Sequence, residues 1–497
     1  MKYKKFFFII VFIPLISSGQ ITHFHFNIQK SEVKNIKIVN HDYTTAEILF
    51  GDRYTEIPLK NGKANWIIFL SKPIFISMIY ENQAIDKEIQ YTFLICPGDS
   101  LILTIDSDNL EQPYQITGIG SINNQPMIQP LHEDSDYLDI YSKDSIPNKA
   151  FSAIVKKNNL YLEIFNKYLK SYNPTENFKK RYSLLLEKYT LCEFFEFKGT
   201  RQFNIPERYF RNEIKWQILE DSLIRQHSFD NDELLEIPIY AYFLPTYLIR
   251  VQERCWIHPE LIKQYTNSYT ALNTLLDDPQ NLLRENIVNR HFKGKSAEFL
   301  FACLFRMSIN NKEENLPEIY NRFEQKYPKS QYIPYVQSAI DKIMERRKRI
   351  VSDKMILIDK TDSLQTMNDL LKMFKGQTVL LDMWGTWCGP CRSEFSLNTD
   401  SIKNRFDSTN LTFVYVANND TKNISKWKEL ISYYNLVGTH ILASENLTKS
   451  IMKTIKGTGY PTYLIIRKNG TYIVSQAGFP MNKDILYNEL ECALKID

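Results

Sequence analysis

The sequence predicts a multidomain protein with a β-rich N-terminal domain, an α-helical middle region and a C-terminal α/β domain. Three observations support this order: strand-like runs and turn signals in residues 20–125, apolar residues at helical spacing in residues 126–350, and alternating strands and helices in residues 351–497. A length of 497 residues, 43% of them hydrophobic, leaves room for about three domains.

Residues 1–19 have the pattern of a secretory signal peptide. The basic segment Met1–Lys5 precedes an apolar run from Phe6 to Ile16, and Ser17-Ser-Gly19 offers small residues for cleavage. The run is shorter than the ~20 apolar residues of a membrane-spanning helix, although an uncleaved N-terminal anchor is the alternative. The sequence therefore predicts export to the periplasm or cell envelope.

In the N-terminal domain, turn signals separate the predicted strands. Asn61-Gly62 predicts a hairpin, and Pro97-Gly-Asp99 predicts a turn before an alternating strand. His23 and His25 share one strand face, which would suit a metal ion or, more simply, an exposed face.

The middle region is predicted to be helical, with helices over Phe151–Leu169 and Phe178–Phe195 and two more within Leu316–Arg349, separated at Tyr327–Ser330. Its aromatic stripes favour a packed core over a groove for a partner peptide. The basic run Arg346–Arg349 suits a helix C-terminus.

Charge and cysteine content limit the function classes. A net charge of +4 is mild and favours no nucleic-acid partner. Apart from one closely spaced pair, the cysteines are predicted to be buried thiols. These cysteines are Cys96, Cys192, Cys255, Cys303 and Cys492. A disulfide among Cys192, Cys255 and Cys303 is the alternative.

The segment Trp384-Gly-Thr-Trp-Cys-Gly-Pro-Cys-Arg392 is the most informative in the chain. An apolar predicted strand, Thr378–Trp384, comes before the pair Cys388 and Cys391, and Gly-Pro between them suits a turn opening into a helix. A strand ending in a cysteine at a helix N-terminus is typical of redox sites. A zinc site would need two more ligands, and neither a second CxxC nor a His pair follows, so no metal is expected.

We expect Cys388 to lie exposed at the helix N-terminus, where a lowered pKa would make it the nucleophile. Cys391, one turn later and tucked behind it, would resolve the mixed disulfide. Asp382 is predicted to point beneath Cys391 as a proton acceptor, or else to be a surface residue at a strand end. Glu394 would tune Cys391, or else be a solvated carboxylate in the first turn.

A second segment, Gly457–Ile466, is predicted to complete the site as a loop entering a strand. We expect the Tyr460–Pro461 bond to be cis, with a trans turn proline as the alternative. The backbone of Tyr460 would then pair with an extended substrate segment near Cys388.

The last ~145 residues resemble a thioredoxin-fold domain of the TlpA/ResA-like family of extracytoplasmic thiol-disulfide oxidoreductases. The resemblance rests on Trp384–Arg392, Glu394, Tyr460-Pro-Thr462 and the turn Lys468-Asn-Gly470. Family members often carry a proline shortly after the position of Glu394, where this chain has Phe395-Ser396.

The resemblance implies catalytic roles for Cys388, Cys391, Asp382 and Glu394, and the cis configuration for Pro461. Together with the segments above, it places substrate at Trp387, Gly389, Pro390, Tyr460 and Pro461.

The expected function is that of an exported reductant of envelope protein disulfides, similar to those of cytochrome c maturation. The Cys388–Cys391 disulfide would serve in place of a cofactor, and a membrane thiol-electron carrier of the DsbD or CcdA type would re-reduce it. The alternatives are an envelope binding protein with an ancillary redox domain and a disulfide oxidase. A peroxidase is disfavoured because Thr386 lies two residues before Cys388 rather than three.

Overall fold

The structure is a computed structural model. The chain forms two compact units, Met1–Cys303 and Leu304–Asp497. The predicted signal peptide lies outside the described residues. The structure describes residues 19–29, 33–82, 86–106, 114–132, 146–204, 211–227, 229, 231–266, 272, 275, 278–360 and 363–495.

The first unit begins with two four-stranded sheets whose inner faces share one apolar core. One sheet has the order β4-β1-β7-β8 and the other the order β3-β2-β5-β6. The strands are β1 Gln20–Gln29, β2 Asn35–Asn40, β3 Tyr54–Pro58, β4 Lys63–Leu70, β5 Ile74–Asn82, β6 Lys87–Ile95, β7 Ser100–Asp106 and β8 Gln115–Ile119.

The predicted hairpin at Asn61-Gly62 is wrong, although the turn itself is present. Both residues have positive φ, 52° and 72°, as a tight turn requires. The turn closes only a bridge between Lys60 and Lys63. β3 then pairs with β2, whereas β4 pairs along its length with β1. The turn therefore passes the chain from one sheet to the other.

Two other predictions for these sheets can be compared with the structure. The turn at Pro97-Gly-Asp99 is confirmed: Gly98 has a φ of 83°, and Asp99 Oδ2 accepts the Cys96 N–H at 2.8 Å. The rings of His23 and His25 stack on one strand face, and His25 Nδ1 lies 2.6 Å from Asn65 Oδ1.

Helices form the rest of the first unit and confirm the helical prediction. The α-helices of the unit, including α1 between β2 and β3, are α1 Ala46–Phe50, α2 Pro147–Tyr172, α3 Glu176–Asn204, α4 Glu213–Gln226, α5 Pro238–Ile257, α6 Asn281–His291 and α7 Gly294–Ser308, which extends into the second unit. Short 3-10 helices cover Ser121–Asn123, Pro126–His132, Asp232–Glu236 and Pro259–Tyr265. No disulfide joins Cys192, Cys255 and Cys303, which are buried free thiols. Burial raises the pKa of Cys255 to about 11, which keeps it protonated at neutral pH.

The second unit begins with two helices, α8 Leu316–Lys326 and α9 Ile333–Arg347, as predicted around Tyr327–Ser330. Their sequence predicts them as part of the middle region, residues 126–350. They belong instead to the compact unit that contains the C-terminal sheet. One physical reason is the basic end of α9: Arg346 donates to Ser396, and Arg349 donates to the Tyr433 carbonyl at 3.0 Å.

The C-terminal sheet is mixed and has the order β14-β13-β10-β11-β12-β9. β10, β11, β12 and β9 are parallel to one another. β13 pairs antiparallel with β10, and β14 pairs antiparallel with β13. The strands are β9 Met355–Ile358, β10 Thr378–Trp384, β11 Leu411–Ala417, β12 Gly438–Leu442, β13 Thr462–Ile466 and β14 Tyr472–Val474.

Helices cover both faces of this sheet, as predicted for an α/β domain. The helices are α10 Met367–Met373, α11 Gly389–Phe406, α12 Ile424–Tyr433, α13 Glu445–Ile455 and α14 Lys483–Lys495. α10 and α13 pack on one face with Leu381 and Met383 of β10. α11 and α14 pack on the other face with Leu380. Within the described residues, no helix is long and apolar enough to cross a membrane.

Candidate active site

Cys388 and Cys391 form a disulfide at the N-terminus of α11, directly after the buried strand β10. Cys388 is the N-cap residue of the helix, and the Cys391 backbone N–H donates to Cys388 Sγ at 3.2 Å. The first amides of a helix have no intrahelical partners and carry partial positive charge. The N-cap sulfur therefore lies where negative charge is stabilised.

The expected exposure of Cys388 is wrong in this oxidised form. Cys388 is 3% exposed and Cys391 is fully buried. Trp387, by contrast, is 47% exposed, and Pro390 is also exposed. The physical reason is packing, because both cysteines belong to a buried apolar cluster with Trp384 and Phe395. Asn311, from an earlier segment, lies against the turn between them: a Cβ atom built on Gly389 would lie 2.8 Å from Asn311 Oδ1.

The loop between β10 and Cys388 is fixed by Asp420, which sequence reasoning missed. The Thr386 backbone N–H donates to Asp420 Oδ2 at 2.7 Å, and the Thr386 hydroxyl donates to Asp420 Oδ1 at 2.5 Å. Burial raises the pKa of Asp420, while the hydrogen bonds from Thr386 lower it. The carboxylate therefore holds this loop against the end of the neighbouring strand.

Asn418, two residues before Asp420, was also missed. Its side-chain amide donates to the Trp384 and Val416 carbonyls, and its carbonyl accepts from Thr448. Its backbone carbonyl accepts the Trp387 indole N–H at 3.0 Å. A usable signal was present, because polar residues at the ends of adjacent parallel strands meet at one sheet edge.

Asp382 is buried, so the alternative of a surface residue is wrong. It lies between Leu380 and Trp384 on the face of β10 that α11 covers. Its Oδ1 atom has no hydrogen-bond partner within the described residues. Burial first, and the Glu394 carboxylate second, raise the pKa of Asp382 well above its usual range.

Asp382 faces a cavity of about 30 Å³. One ordered water needs roughly 10–15 Å³, so the cavity has room for water. The titratable side chains lining it are Asp382, Glu394, Lys403, Tyr415 and Tyr463. Burial lowers the pKa of Lys403 to about 8, and Lys403 donates to the Asn435 and Val437 carbonyls.

Glu394 is also buried, so the alternative of a solvated carboxylate is wrong. Asn398 Nδ2 donates to Glu394 Oε2, and the Met481 backbone N–H donates to Oε1 at 3.1 Å. Both oxygens are therefore satisfied from inside the fold, and the carboxylate is held in the cavity that also contains Asp382.

The predicted cis bond at Tyr460–Pro461 is confirmed. The Tyr460 ring meets the Trp387 ring edge-on, with the ring centroids 5.6 Å apart. The structure thus brings Trp387, Gly389 and Pro390 to the start of α11 and Tyr460 against Trp387. The predicted hairpin at Lys468-Asn-Gly470 is likewise confirmed by the pairing of β13 with β14.

Arg392, the last residue of the motif, is buried and ion-paired. Its Nη1 donates to Glu314 Oε1 at 2.7 Å, and its Nε donates to the Tyr434 hydroxyl at 3.2 Å. Sequence reasoning assigned no role to Glu314. Among the described residues, no group of three His, Cys, Asp or Glu side chains could hold a metal ion.

The family model described as Redoxin matches residues 345–487. The solved thioredoxin domain of a thiol-disulfide oxidoreductase from Bacteroides vulgatus is 23% identical, with a TM-score of 0.22, and the match covers 25% of this chain and 84% of that one. A thioredoxin-family thiol:disulfide interchange protein from Chlorobium tepidum is 25% identical, with a TM-score of 0.20 and coverage of 25% and 83%. A secreted Mycobacterium tuberculosis disulfide oxidoreductase, homologous to DsbE of E. coli, is 21% identical, with a TM-score of 0.20 and coverage of 24% and 85%.

The class of the C-terminal unit follows from the Redoxin match and the geometry around Cys388. A dithiol pair at a helix N-terminus after a buried strand, inside a Redoxin region, is the site of a thiol-disulfide oxidoreductase. This assignment concerns the C-terminal unit, because the match begins at residue 345 and includes no residue of the first unit.

Proposed function

We propose that this chain is an exported TlpA/ResA-like oxidoreductase that reduces disulfides of envelope proteins, with Cys388 attacking and Cys391 resolving. The observation that carries the proposal is the N-cap position of Cys388, whose sulfur accepts the Cys391 N–H. The same helix amide would stabilise the Cys388 thiolate, which is the reactive form of a thiol. Export rests on the signal-peptide pattern of residues 1–19.

The reaction proceeds in two exchanges. The Cys388 thiolate attacks one sulfur of a substrate disulfide, forms a mixed disulfide and releases the other substrate sulfur as a thiolate. The Cys391 thiolate then attacks Cys388 Sγ, forms the Cys388–Cys391 disulfide and releases the second substrate thiolate. Two electrons pass from the protein to the substrate.

Asp382 takes the proton that Cys391 must lose before the second exchange. A buried carboxyl whose pKa is raised well above its usual range is a stronger base than an exposed carboxyl. Glu394 acts on this transfer through the charge that it presents to Asp382. The cavity that both line has room for a water molecule, which would carry the proton away.

The substrate lies across the side of the disulfide where side chains are accessible. Trp387 is 47% exposed and contacts Tyr460, and Gly389 and Pro390 form the adjacent turn. The backbone of Tyr460, before Pro461, pairs with an extended substrate segment. Apocytochrome c thiols in their oxidised form are one such substrate.

A reductant in an exported compartment needs an outside source of electrons, because that compartment is oxidising. A membrane thiol-electron carrier of the DsbD or CcdA type would supply a dithiol that reduces the Cys388–Cys391 disulfide. Exchange of one disulfide for another again balances two electrons.

The test uses the full chain, dithiothreitol as the electron donor and a defined protein disulfide as the substrate. Cys388→Ser should abolish reduction above the dithiothreitol background. Cys492→Ser is the matched control, because Cys492 is an exposed thiol outside the site and its loss should leave the rate unchanged. A Cys388→Ser protein as active as the parent would exclude the proposal.

A further inference from the structure

Residues 309–315 connect α7 to α8 and lie against the first turn of α11. Asn311 Oδ1 lies 2.8 Å from the position of a Cβ atom on Gly389, so the amide touches the turn between the two cysteines. This oxygen is buried and has no hydrogen-bond partner within the described residues. An unsatisfied buried carbonyl costs stability, so the contact must be held by other interactions.

The strongest of these is the ion pair between Glu314 and Arg392. The pair is 2.7 Å long, and the Arg392 side chain is only 4% exposed. Burial alone would raise the pKa of Glu314, but Arg392 and Lys426 lower it to about 2. The carboxylate therefore stays charged throughout the neutral range and attaches the segment one residue after Cys391.

Glu313 provides a second attachment. Its side chain is 2% exposed, accepts from the Tyr433 hydroxyl and pairs with Arg346 Nη1 at 3.3 Å. The same carboxylate accepts the Asn310 backbone N–H at 2.9 Å. Two neighbouring glutamates thus fix the segment, Glu313 through Tyr433 and Arg346 and Glu314 through Arg392.

We propose that residues 309–315 form a cover over the Cys388 sulfur that determines which disulfides reach it. The cover closes the approach above Gly389 and leaves the side of Trp387 and Tyr460 open. A narrow, extended chain segment can bring its disulfide along that side, whereas a disulfide on a broad folded surface meets the cover first. The selectivity for substrate rests on the proposed function, but the cover itself does not.

Alkylation of the reduced full chain tests the cover without any turnover. N-ethylmaleimide and a polyethylene glycol maleimide share one reactive group and differ in bulk, and peptide mass spectrometry measures modification at Cys388. Glu314→Gln removes the charge that pairs with Arg392, and Asn311→Ala removes the amide against Gly389. Glu318→Gln is the matched control, because it removes a nearby carboxylate that pairs with Arg347 instead of Arg392.

Glu314→Gln and Asn311→Ala should each raise the rate of the bulky reagent about tenfold, the factor that corresponds to about 1.4 kcal/mol. The rate of the small reagent should change much less, and Glu318→Gln should match the parent. An unchanged ratio of bulky to small reagent in both variants would overturn the cover. Should Glu314→Gln fail to fold, Asn311→Ala decides alone.

The two proposals fail separately. A parent protein that does not reduce protein disulfides contradicts the proposed function, whatever the alkylation ratio. A parent that reduces folded and unfolded protein disulfides at equal rates, and whose variants alkylate as it does, contradicts the cover alone.

Discussion

Asp382 and Glu394 face the same small buried cavity, and the Glu394 carboxylate adds to the burial that raises the pKa of Asp382. The Glu394 carboxylate acts on Asp382 as a like charge, which disfavours the ionised form of Asp382. The pair offers a base for the resolving thiol and a second charge that sets the strength of this base.

Glu394→Gln should lower the pKa of Asp382, because it removes a like charge from the cavity. The rate at which the mixed disulfide is resolved should then begin to rise at a lower pH than in the parent. The glutamine also loses one of the two acceptors used by Asn398 and Met481, which costs about 1–3 kcal/mol of unfolding free energy. Stopped-flow measurement across pH and urea denaturation give the two results.

The control for this change is Glu491→Gln, which removes a carboxylate of the same unit that pairs with Arg405 at the surface. It should leave the pH profile unchanged. A profile of Glu394→Gln shifted to higher pH would show that Glu394 does not act on Asp382 through its charge.

Asp382→Asn should slow resolution of the mixed disulfide by about 10²-fold, the usual contribution of a positioned base. The first exchange should be almost unaffected, because Cys388 obtains its thiolate from the helix N-terminus. Single-turnover kinetics with a fluorescent disulfide substrate separates the two steps. If only the first exchange slows, the roles of Cys388 and Cys391 must be exchanged.

Asp382→Asn should also make the protein more stable at neutral pH. An aspartate in the unfolded chain has a pKa of about 3.8, and the pKa of Asp382 in the fold is raised, so above pH 3.8 the folded state binds more protons than the unfolded state. Unfolding free energy of the parent therefore falls as pH rises from there towards the pKa in the fold. The asparagine variant does not lose this stability. Denaturation curves should therefore show a difference in unfolding free energy between variant and parent that grows as pH rises.

Asp369→Asn should move stability in the opposite direction. Asp369 accepts hydrogen bonds from Thr366 in the capping box of α10, and these bonds lower its pKa. Its carboxylate therefore stabilises the fold above the unfolded pKa, and this contribution disappears as pH falls. Equal behaviour of the two variants would contradict the assignment of Asp382 as a buried, destabilising carboxyl.

A reductant should have a low reduction potential. Redox titration of the full chain against glutathione or dithiothreitol buffers should give a value nearer that of thioredoxin, about −270 mV, than that of DsbA, about −120 mV. A value close to the DsbA end would favour a disulfide oxidase instead. Thiol alkylation at each buffer potential, followed by mass spectrometry of the Cys388 peptide, measures the fraction of reduced Cys388.

The position of Cys388 at a helix N-terminus could be predicted because its causes are local. A buried strand, a Gly-Pro turn and a helical pattern follow one another in a single segment, Thr378–Phe406. The start of α10 is likewise set by local sequence. Its start is set by the capping box of Thr366 and Asp369.

The contact of residues 309–315 with α11 could not be predicted, because it joins segments that are distant in sequence. Asn311 and Glu314 reach α11 from a loop that no local pattern connects with Cys388. Asn418 and Asp420 act across neighbouring strands, and their place at the end of a parallel strand was a signal that could have identified them. The turn at Asn61 could likewise be predicted from local sequence. The pairing of β3 with β2 and of β4 with β1 could not, because these partners are distant in sequence.

The path of the chain at Asn61-Gly62 has a consequence for cleavage of the backbone. The first sheet takes strands from both sides of this exposed turn, β1 before it and β4 after it, and the second sheet takes β2 and β3 before it and β5 after it. A cut there would leave two fragments, and each of the two sheets would contain strands from both fragments. Neither fragment could leave as a folded piece, so a nicked protein should persist as one body until it unfolds as a whole.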